Sequence, residues 1–271
     1  SDVEIILGSV EDKISLDNNI KKIVPDIIIH AAAMKHVDSA EKQPYEMVKS
    51  NIIGSKNIID VAKENRIALT IGISTDKACS PKNLYGYSKK IMEKMFLEAN
   101  TKDTRFCCTR FGNIAGSNGS VIPLWLNKAR LGEPLTLTST KMTRLMISKN
   151  EASQIVEKCI DLVESFRDGF ILSKKMKKVA VIDIAKNISK NIIEIGVRPG
   201  EEISENLISE DELTYTDVHG EYILIYNKTN KSFTNLTNPL NSNNAQKMSN
   251  NELVSLIEGV KEELDNKQLY Y

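Results

Sequence analysis

The sequence has little of what marks a stapled, metal-built or membrane-spanning protein. Only four cysteines occur in 271 residues, and Cys107 and Cys108 are adjacent while Cys79 and Cys159 stand alone. No C-x-x-C exists, which argues against a disulfide framework or a cysteine-based metal site and leaves small apolar residues in a reducing compartment. Charge of one sign is not in excess either. Lysine plus arginine equals aspartate plus glutamate at 36 each, so no overall field steers the chain to nucleic acid or to an anionic membrane. No apolar run reaches the length of a membrane span, and residues 1–20 lack a basic-then-apolar leader pattern. These absences read as a cytoplasmic protein with no nucleic-acid or membrane partner and no metal. With 41% hydrophobic and 27% charged residues, the composition suits one large α/β domain or a core with a smaller lobe.

What is present alternates. Short apolar runs at Val3–Leu7, Asp26–His30, Leu69–Ser74 and Phe106–Phe111 predict strands. Helical patterns at Ser15–Val24, Glu46–Asn65 and Tyr85–Asn100 lie between them. That order predicts a parallel sheet with crossover helices. After Asn113 the character changes, with Gly116, Gly119 and Pro123, a β-like Leu135–Ser139, and helical patterns at Glu151–Ser165 and Val181–Asn191. A turn at Gly196–Gly200 is expected to precede another helix, and Tyr222–Tyr226 to form a late strand. Residues 228–251, rich in Asn, Ser, Thr and Lys, read as a loose loop before a last helix at Glu252–Leu264. One element is missing from the pattern. A doubly wound nucleotide-binding domain opens with a strand, a glycine-rich turn and a helix, and no G-x-x-G-x-x-G precedes Val3. The expectation is therefore a Rossmann-type doubly wound parallel sheet lacking its first β-α-β elements, by N-terminal truncation, with a smaller C-terminal substrate lobe. Residues 1–125 would form the partial cofactor-binding domain, and 126–271 mainly the substrate lobe and tail.

Two groups of residues carry chemistry. Ser74-Thr75-Asp76-Lys77 follows a predicted strand, at the carboxyl edge where open α/β sheets bind ligands. Tyr85 and Lys89 open a helix four residues apart and share a face. An ammonium beside a phenol favours the phenolate, so Lys89 is expected to lower the Tyr85 pKa and make it a base for a sugar hydroxyl. Spacing alone is weak evidence, since most Y-x-x-x-K pairs decorate a surface. Its place just after a strand-end Thr-Asp-Lys strengthens it.

Together with His30-Ala31-Ala32-Ala33-Met34-Lys35-His36-Val37, Asn83-Leu84-Tyr85-Gly86, Arg110-Phe111-Gly112-Asn113, Gly119-Ser120-Val121-Ile122-Pro123, Lys141-Met142-Thr143-Arg144 and Arg198-Pro199-Gly200-Glu201, these residues resemble one family. It is the UDP-N-acetylglucosamine 4,6-dehydratases, in the polysaccharide-biosynthesis branch of the extended short-chain dehydrogenases/reductases. The motifs keep family order across about residues 3–210. The resemblance implies that Tyr85 deprotonates the C4 hydroxyl as hydride passes to NADP or NAD. Lys77, its pKa lowered by desolvation, then removes the C5 proton, and Asp76 protonates the departing C6 hydroxyl. Thr75 would hydrogen-bond near O4, and Lys89 would orient the nicotinamide ribose. Further cofactor contacts are implied for Ala31, Ala32, Ala33, Lys35, Asn51, Ser74 and Ile114. Asn51 would be a polar bridge from the long helix to the active-site backbone. Substrate contacts are implied for His36, Asn113, Val121, Arg144 and Arg198, the two arginines suiting a pyrophosphate.

Where the family carries Asp after the early strand, near adenine, this chain has Ser9. The segment that selects NAD or NADP is absent. Tyr at position 85 resembles the C5-inverting members, whereas many membrane-anchored relatives carry Met there. The resemblance also implies a UDP-sugar substrate and a homo-oligomer. Two rivals stand beside this reading: a nucleotide-sugar 4-epimerase, which has no use for Asp76 and Lys77 as acid and base, and a non-catalytic remnant of the family.

Overall fold

The structure, a computed structural model, describes residues 3–166, 168–197, 200–230 and 232–268. The strand expected at Val3–Leu7 does not form. Val3, Ile5 and Leu7 are 81%, 83% and 92% exposed, and no described strand runs beside them. An apolar run with no neighbour to pair its backbone has nothing to hold it extended. The first element is instead a helix, α1 (Lys13–Ile23), whose Asp12 cap accepts from the Ser15 amide at 3.0 Å.

The sheet begins with β1 (Ile27–His30), followed by a short helix α2 (Val37–Lys42). A long helical run then passes through α3 (Pro44–Met47), a π turn at Val48–Ile53 and α4 (Gly54–Glu64). The pattern predicts one unbroken helix over Glu46–Asn65. The π turn interrupts it at Asn51, which the wider turn carries into the interior at 1% exposure. Next come β2 (Leu69–Thr75), a 3-10 turn at Asp76–Ala78, α5 (Leu84–Ala99) and β3 (Arg105–Phe111). These three strands run parallel, with Ile29 beside Ile71 and Ile71 beside Cys107. Crossover helices connect them, as parallel neighbours require.

Beyond β3 the chain forms β4 (Asn113–Ile114), α6 (Val121–Arg130), β5 (Leu135–Leu137), β6 (Thr143–Ile147) and α7 (Lys149–Val163). It returns to the main sheet as β7 (Ile171–Lys174), parallel to β3. Then follow β8 (Lys177–Ala180), α8 (Val181–Ile188), β9 (Ile192–Glu194) and β10 (Asn206–Ile208). Where a further helix is expected after Gly200, the chain makes β10 and only a 3-10 turn, Glu210–Tyr215. The chain finishes with β11 (Thr216–His219), β12 (Tyr222–Ile225), β13 (Leu240–Asn241) and α9 (Asn250–Gln268). Among the described residues the main sheet has the order β1-β2-β3-β7-β12-β11, with β12 and β11 antiparallel. The smaller sheets β4-β6-β8 and β5-β9 pack with α6, α8 and α9 around a separate apolar cluster that contains Trp125.

The stretch read as a loose loop, 228–251, is tied down in its second half. β13 pairs with β10, and the Asn241 carboxamide oxygen accepts from the amides of Asn243 and Asn244 at 2.9 and 3.1 Å. Asn-rich composition looks like loop because these side chains satisfy the local backbone, which here builds an anchored turn.

A buried ion cluster joins the layers. Arg110 on β3 donates to Glu93 of α5 at 2.7 and 2.8 Å, and to Glu212 at 2.7 Å. The Ser74 hydroxyl donates to the same Glu93 at 2.7 Å, which ties the end of β2 into this cluster. Removing the cation would strand two buried carboxylates. Arg110→Met is expected to destabilise the protein by about 3–5 kcal/mol, read as a lower denaturation midpoint in urea, and an unchanged midpoint would refute this role.

Candidate active site

The site forms where β2 ends. The Thr75 hydroxyl accepts from the Lys77 amide and turns the chain into the 3-10 turn. That turn sends Asp76 into the interior, while Thr75 and Lys77 line a cleft of about 320 Å³. The first turn of α5 is capped by Asn83, whose side chain accepts from the Gly86 amide at 2.8 Å. Gly86 permits the close approach that follows. A Cβ there would stand 2.3 Å from the Lys77 carbonyl oxygen, so only glycine lets α5 press against the 3-10 turn. The result brings Tyr85 and Lys89 to the cleft that Thr75 and Lys77 line. The helical spacing of the last two and the strand-end position of the first two thus converge.

Charge is concentrated behind the cleft wall. The Lys77 ammonium lies 2.7 Å from Glu205 and 3.2 Å from Asp76. Asp76 is buried, and its second carboxylate oxygen has no hydrogen-bond partner among the described residues. Burial, reinforced by the Glu205 charge and opposed by Lys77, pushes the Asp76 carboxyl up to about 7. Burial alone would raise Glu205 as well, but the charges of Lys77 and Arg144 hold it down at about 2. Two expectations need correction here. Desolvation does favour a neutral Lys77, yet Asp76 and Glu205 outweigh it and hold the ammonium above its ordinary range. The Tyr85 phenol is likewise raised by burial, and the charge that pulls it down is that of Lys77, helped by a hydrogen bond with Thr75. Lys89 instead donates to the Ile73 carbonyl at 2.8 Å, and burial lowers it to about 8.

The remaining expected residues fall as follows. Ala31, Ala33, Lys35, His36, Ser74, Asn113 and Ile114 line the same cleft, and Ala32 beside them is exposed. Asn51 clamps Met34, accepting from its amide at 2.7 Å and donating to its carbonyl at 2.9 Å, and also reaches Ser88 at 2.9 Å. The Ser74 hydroxyl donates to Glu93 at 2.7 Å. Lys35 donates to the Asn118 carbonyl. The His36 ring packs on Gly119, where an added Cβ would meet it at 2.7 Å. Val121 and Arg144 line an adjoining cavity with Trp125 and Thr136. Arg144 pairs with Glu205 at 3.3 Å and donates to the Thr143 carbonyl at 2.8 Å. Arg198 lies outside the described residues. Glu205, which contacts Lys77, Arg144 and Asn113, was not foreseen. Nothing in the acidic stretch Glu201, Glu202, Glu205 distinguishes it from its neighbours before folding.

The raised Asp76 pKa has a stability consequence with a definite sign. Between the unfolded value of 3.8 and the folded value of about 7, the folded state binds more protons, so this group's contribution weakens as pH rises. Asp76→Asn should therefore gain stability relative to the parent, on the order of 1–3 kcal/mol, between about pH 5 and about pH 8. Parallel melting curves at the two pH values measure it, and a pH-independent difference would show that Asp76 titrates normally.

The parallel sheet, the strand-end Thr-Asp-Lys and the helical Tyr–Lys pair define a Rossmann-type short-chain dehydrogenase/reductase. The chain belongs to the polysaccharide biosynthesis protein family, whose model matches residues 1–264. It is 40% identical over 218 residues to the UDP-N-acetylglucosamine 4,6-dehydratase (inverting) of Campylobacter jejuni, covering 77% of this chain and 64% of that protein. It is 36% identical over 233 residues to the UDP-glucose 4-epimerase of Rickettsia bellii, covering 82% and 67%. The solved structure of Pen from Bacillus thuringiensis superposes with a TM-score of 0.85 at 28% identity, over 94% of this chain and 80% of that one. Other solved structures under a fifth identical share the fold alone, and several hold NAD. The chain thus spans less than two thirds of the length of the Campylobacter relative. No described helix is long and apolar enough to cross a membrane.

Proposed function

We propose that the protein is a UDP-N-acetylglucosamine 4,6-dehydratase that inverts C5, working with NADP or NAD in the cleft beside β2. The observation that carries this reading is the meeting of Thr75, Lys77 and Tyr85 on one cleft, with Lys77 in contact with Asp76. The cleft suits a nicotinamide: Ala31 and Ala33 add only methyl groups to its wall, and the Lys89 ammonium has protons to spare beyond its bond to Ile73. When bound, the cofactor supplies a site that takes a hydride and later gives it back.

The chain's own groups handle the protons. Tyr85, beside Lys77 and Thr75, takes the proton of the C4 hydroxyl as that carbon is oxidised, its own phenolic proton having first passed to solvent. The resulting ketone acidifies the C5 hydrogen, and the Lys77 amine removes it once its own extra proton has moved to the Asp76 carboxylate. Asp76, its carboxyl raised to about 7, gives that proton on to the departing C6 oxygen, so water leaves and a C5–C6 double bond forms. Lys77, holding the proton taken from C5, would return it to that carbon from the opposite face of the ring as C6 is reduced. Arg144 binds the pyrophosphate, residues 1–125 serve mainly the cofactor, and 126–271 serve mainly the sugar nucleotide. Family resemblance supports a homo-oligomer.

The 4-epimerase reading draws on the Rickettsia relative, but it leaves the Asp76–Lys77 pair idle. Incubation with UDP-N-acetylglucosamine and NADP or NAD separates the two by mass spectrometry. The product is expected to have lost one water. Tyr85→Phe should lower kcat by about 10²–10⁴-fold, and Lys77→Met should abolish water loss. A product of unchanged mass would establish epimerisation, and no product would leave a non-catalytic protein.

A further inference from the structure

Glu205 is the group at this cleft that no sequence motif pointed to. It is 3% exposed, and both of its carboxylate oxygens are engaged. One faces Lys77 at 2.7 Å and Arg144 at 3.3 Å, and the other accepts from the Asn113 carboxamide at 2.9 Å. Its backbone is held as firmly. The Glu205 amide donates to the Ser242 hydroxyl at 2.9 Å, and the Ser242 amide donates to the Glu205 carbonyl at 2.9 Å. Ser242 is itself bonded to Thr143, next to Arg144. The tail strand β13 thus serves to place one carboxylate behind Lys77. A residue needed only to neutralise Lys77 would not require this, because Asp76 already lies within 3.2 Å.

We propose that Glu205 is a positioning residue, which fixes the Lys77 ammonium over the cleft and, with Asp76, determines which of the three groups carries the mobile proton. Its catalytic consequence rests on the dehydration reading above. A proton leaving Lys77 breaks an N–H bond and forms an O–H bond on Asp76, while Glu205 stays ionised, so the cluster keeps its protons while the amine becomes free to act. The charged and titratable groups around Glu205 are Asp76 and Lys77 from the end of β2, Arg144 from β6, and Tyr85 of α5 beyond Lys77. Across the adjoining cavity stand Lys35, His36, Glu201 and Glu202. Arg144 and Lys77 supply the opposing charges that hold Glu205 ionised, and the Glu205 charge in turn supports both the raised Asp76 and the raised Lys77.

The test compares the parent protein with Glu205→Gln, with Glu205→Asp as the charge-keeping variant and Glu202→Gln, whose parent residue pairs with Lys82, as control. Lysine reactivity toward acetic anhydride is followed by peptide mass spectrometry across alkaline pH, without substrate. In Glu205→Gln the Lys77 labelling midpoint should fall, speeding its labelling at fixed pH about tenfold for each pH unit of the shift. The limb of the dehydration pH profile near neutrality should move to lower pH. Glu205→Asp should restore much of both, and Glu202→Gln should change neither. Unchanged Lys77 labelling, or a kcat that falls at every pH without moving the limb, would overturn the proposal. If Glu205→Gln does not fold, the parent decides: its Lys77 midpoint must lie above the ordinary lysine value of about 10.4, and a midpoint at or below it overturns the proposal. A parent protein that fails to dehydrate the sugar refutes the functional reading alone, since the labelling is read independently.

Discussion

A lysine held between two buried carboxylates governs this site, and much of the surrounding architecture follows from the need to keep that arrangement intact. Lys77 lines the cleft, with Asp76 at 3.2 Å and Glu205 at 2.7 Å from its ammonium. Buried carboxylates are tolerated only when charge or hydrogen bonds compensate them. Each of the other constraints serves that end. Gly86 lets α5 close against the turn that carries Lys77, β13 fixes Glu205 through Ser242, and Arg144 and Asn113 complete its partners. Among the described residues one Asp76 oxygen has no hydrogen-bond partner in the interior, a destabilised placement of the kind that function tends to demand.

A second ion cluster, centred on Arg110, has a different character. Its carboxylates are paired by Arg110, and the Ser74–Glu93 bond connects it to the strand end that carries the cleft. There the two carboxylates share a guanidinium fork, which satisfies them without leaving a proton to move. The contrast explains why one cluster reads as structural and the other as reactive, although both are buried and each sets two carboxylates against two cations, Arg110 and Lys90 in one and Lys77 and Arg144 in the other.

The parallel core was legible because strand and helix periods alternate cleanly from Asp26 to Phe111, and because the strand-end and helix-start residues fall where such sheets bind ligands. The cleft residues Thr75, Lys77, Tyr85 and Lys89 were readable for the same reason: their neighbours in sequence are their neighbours in space. Three features were hidden. Val3–Leu7 has strand composition but no described strand to pair with. The π turn at Asn51 depends on what that helix meets, including Met34 and Ser88, rather than on its own sequence. Glu205 reaches Lys77 from 128 positions away in the chain, and an exposed-looking acidic stretch carries no mark of that contact. The pKa ordering differs from expectation in opposite ways: at Lys77 the charges of Asp76 and Glu205 outweigh burial, whereas at Tyr85 burial outweighs the Lys77 charge.

Hydrogen exchange at C5 of the bound sugar tests the central claim most directly, by incubating UDP-N-acetylglucosamine with the cofactor-loaded protein in D2O. The account predicts deuterium at C5 in the parent and its loss in Lys77→Ala, while reduction of the nicotinamide by the sugar, which depends on Tyr85, continues in that variant. Undiminished C5 exchange in Lys77→Ala would contradict it, because the proton would then be leaving through some other group.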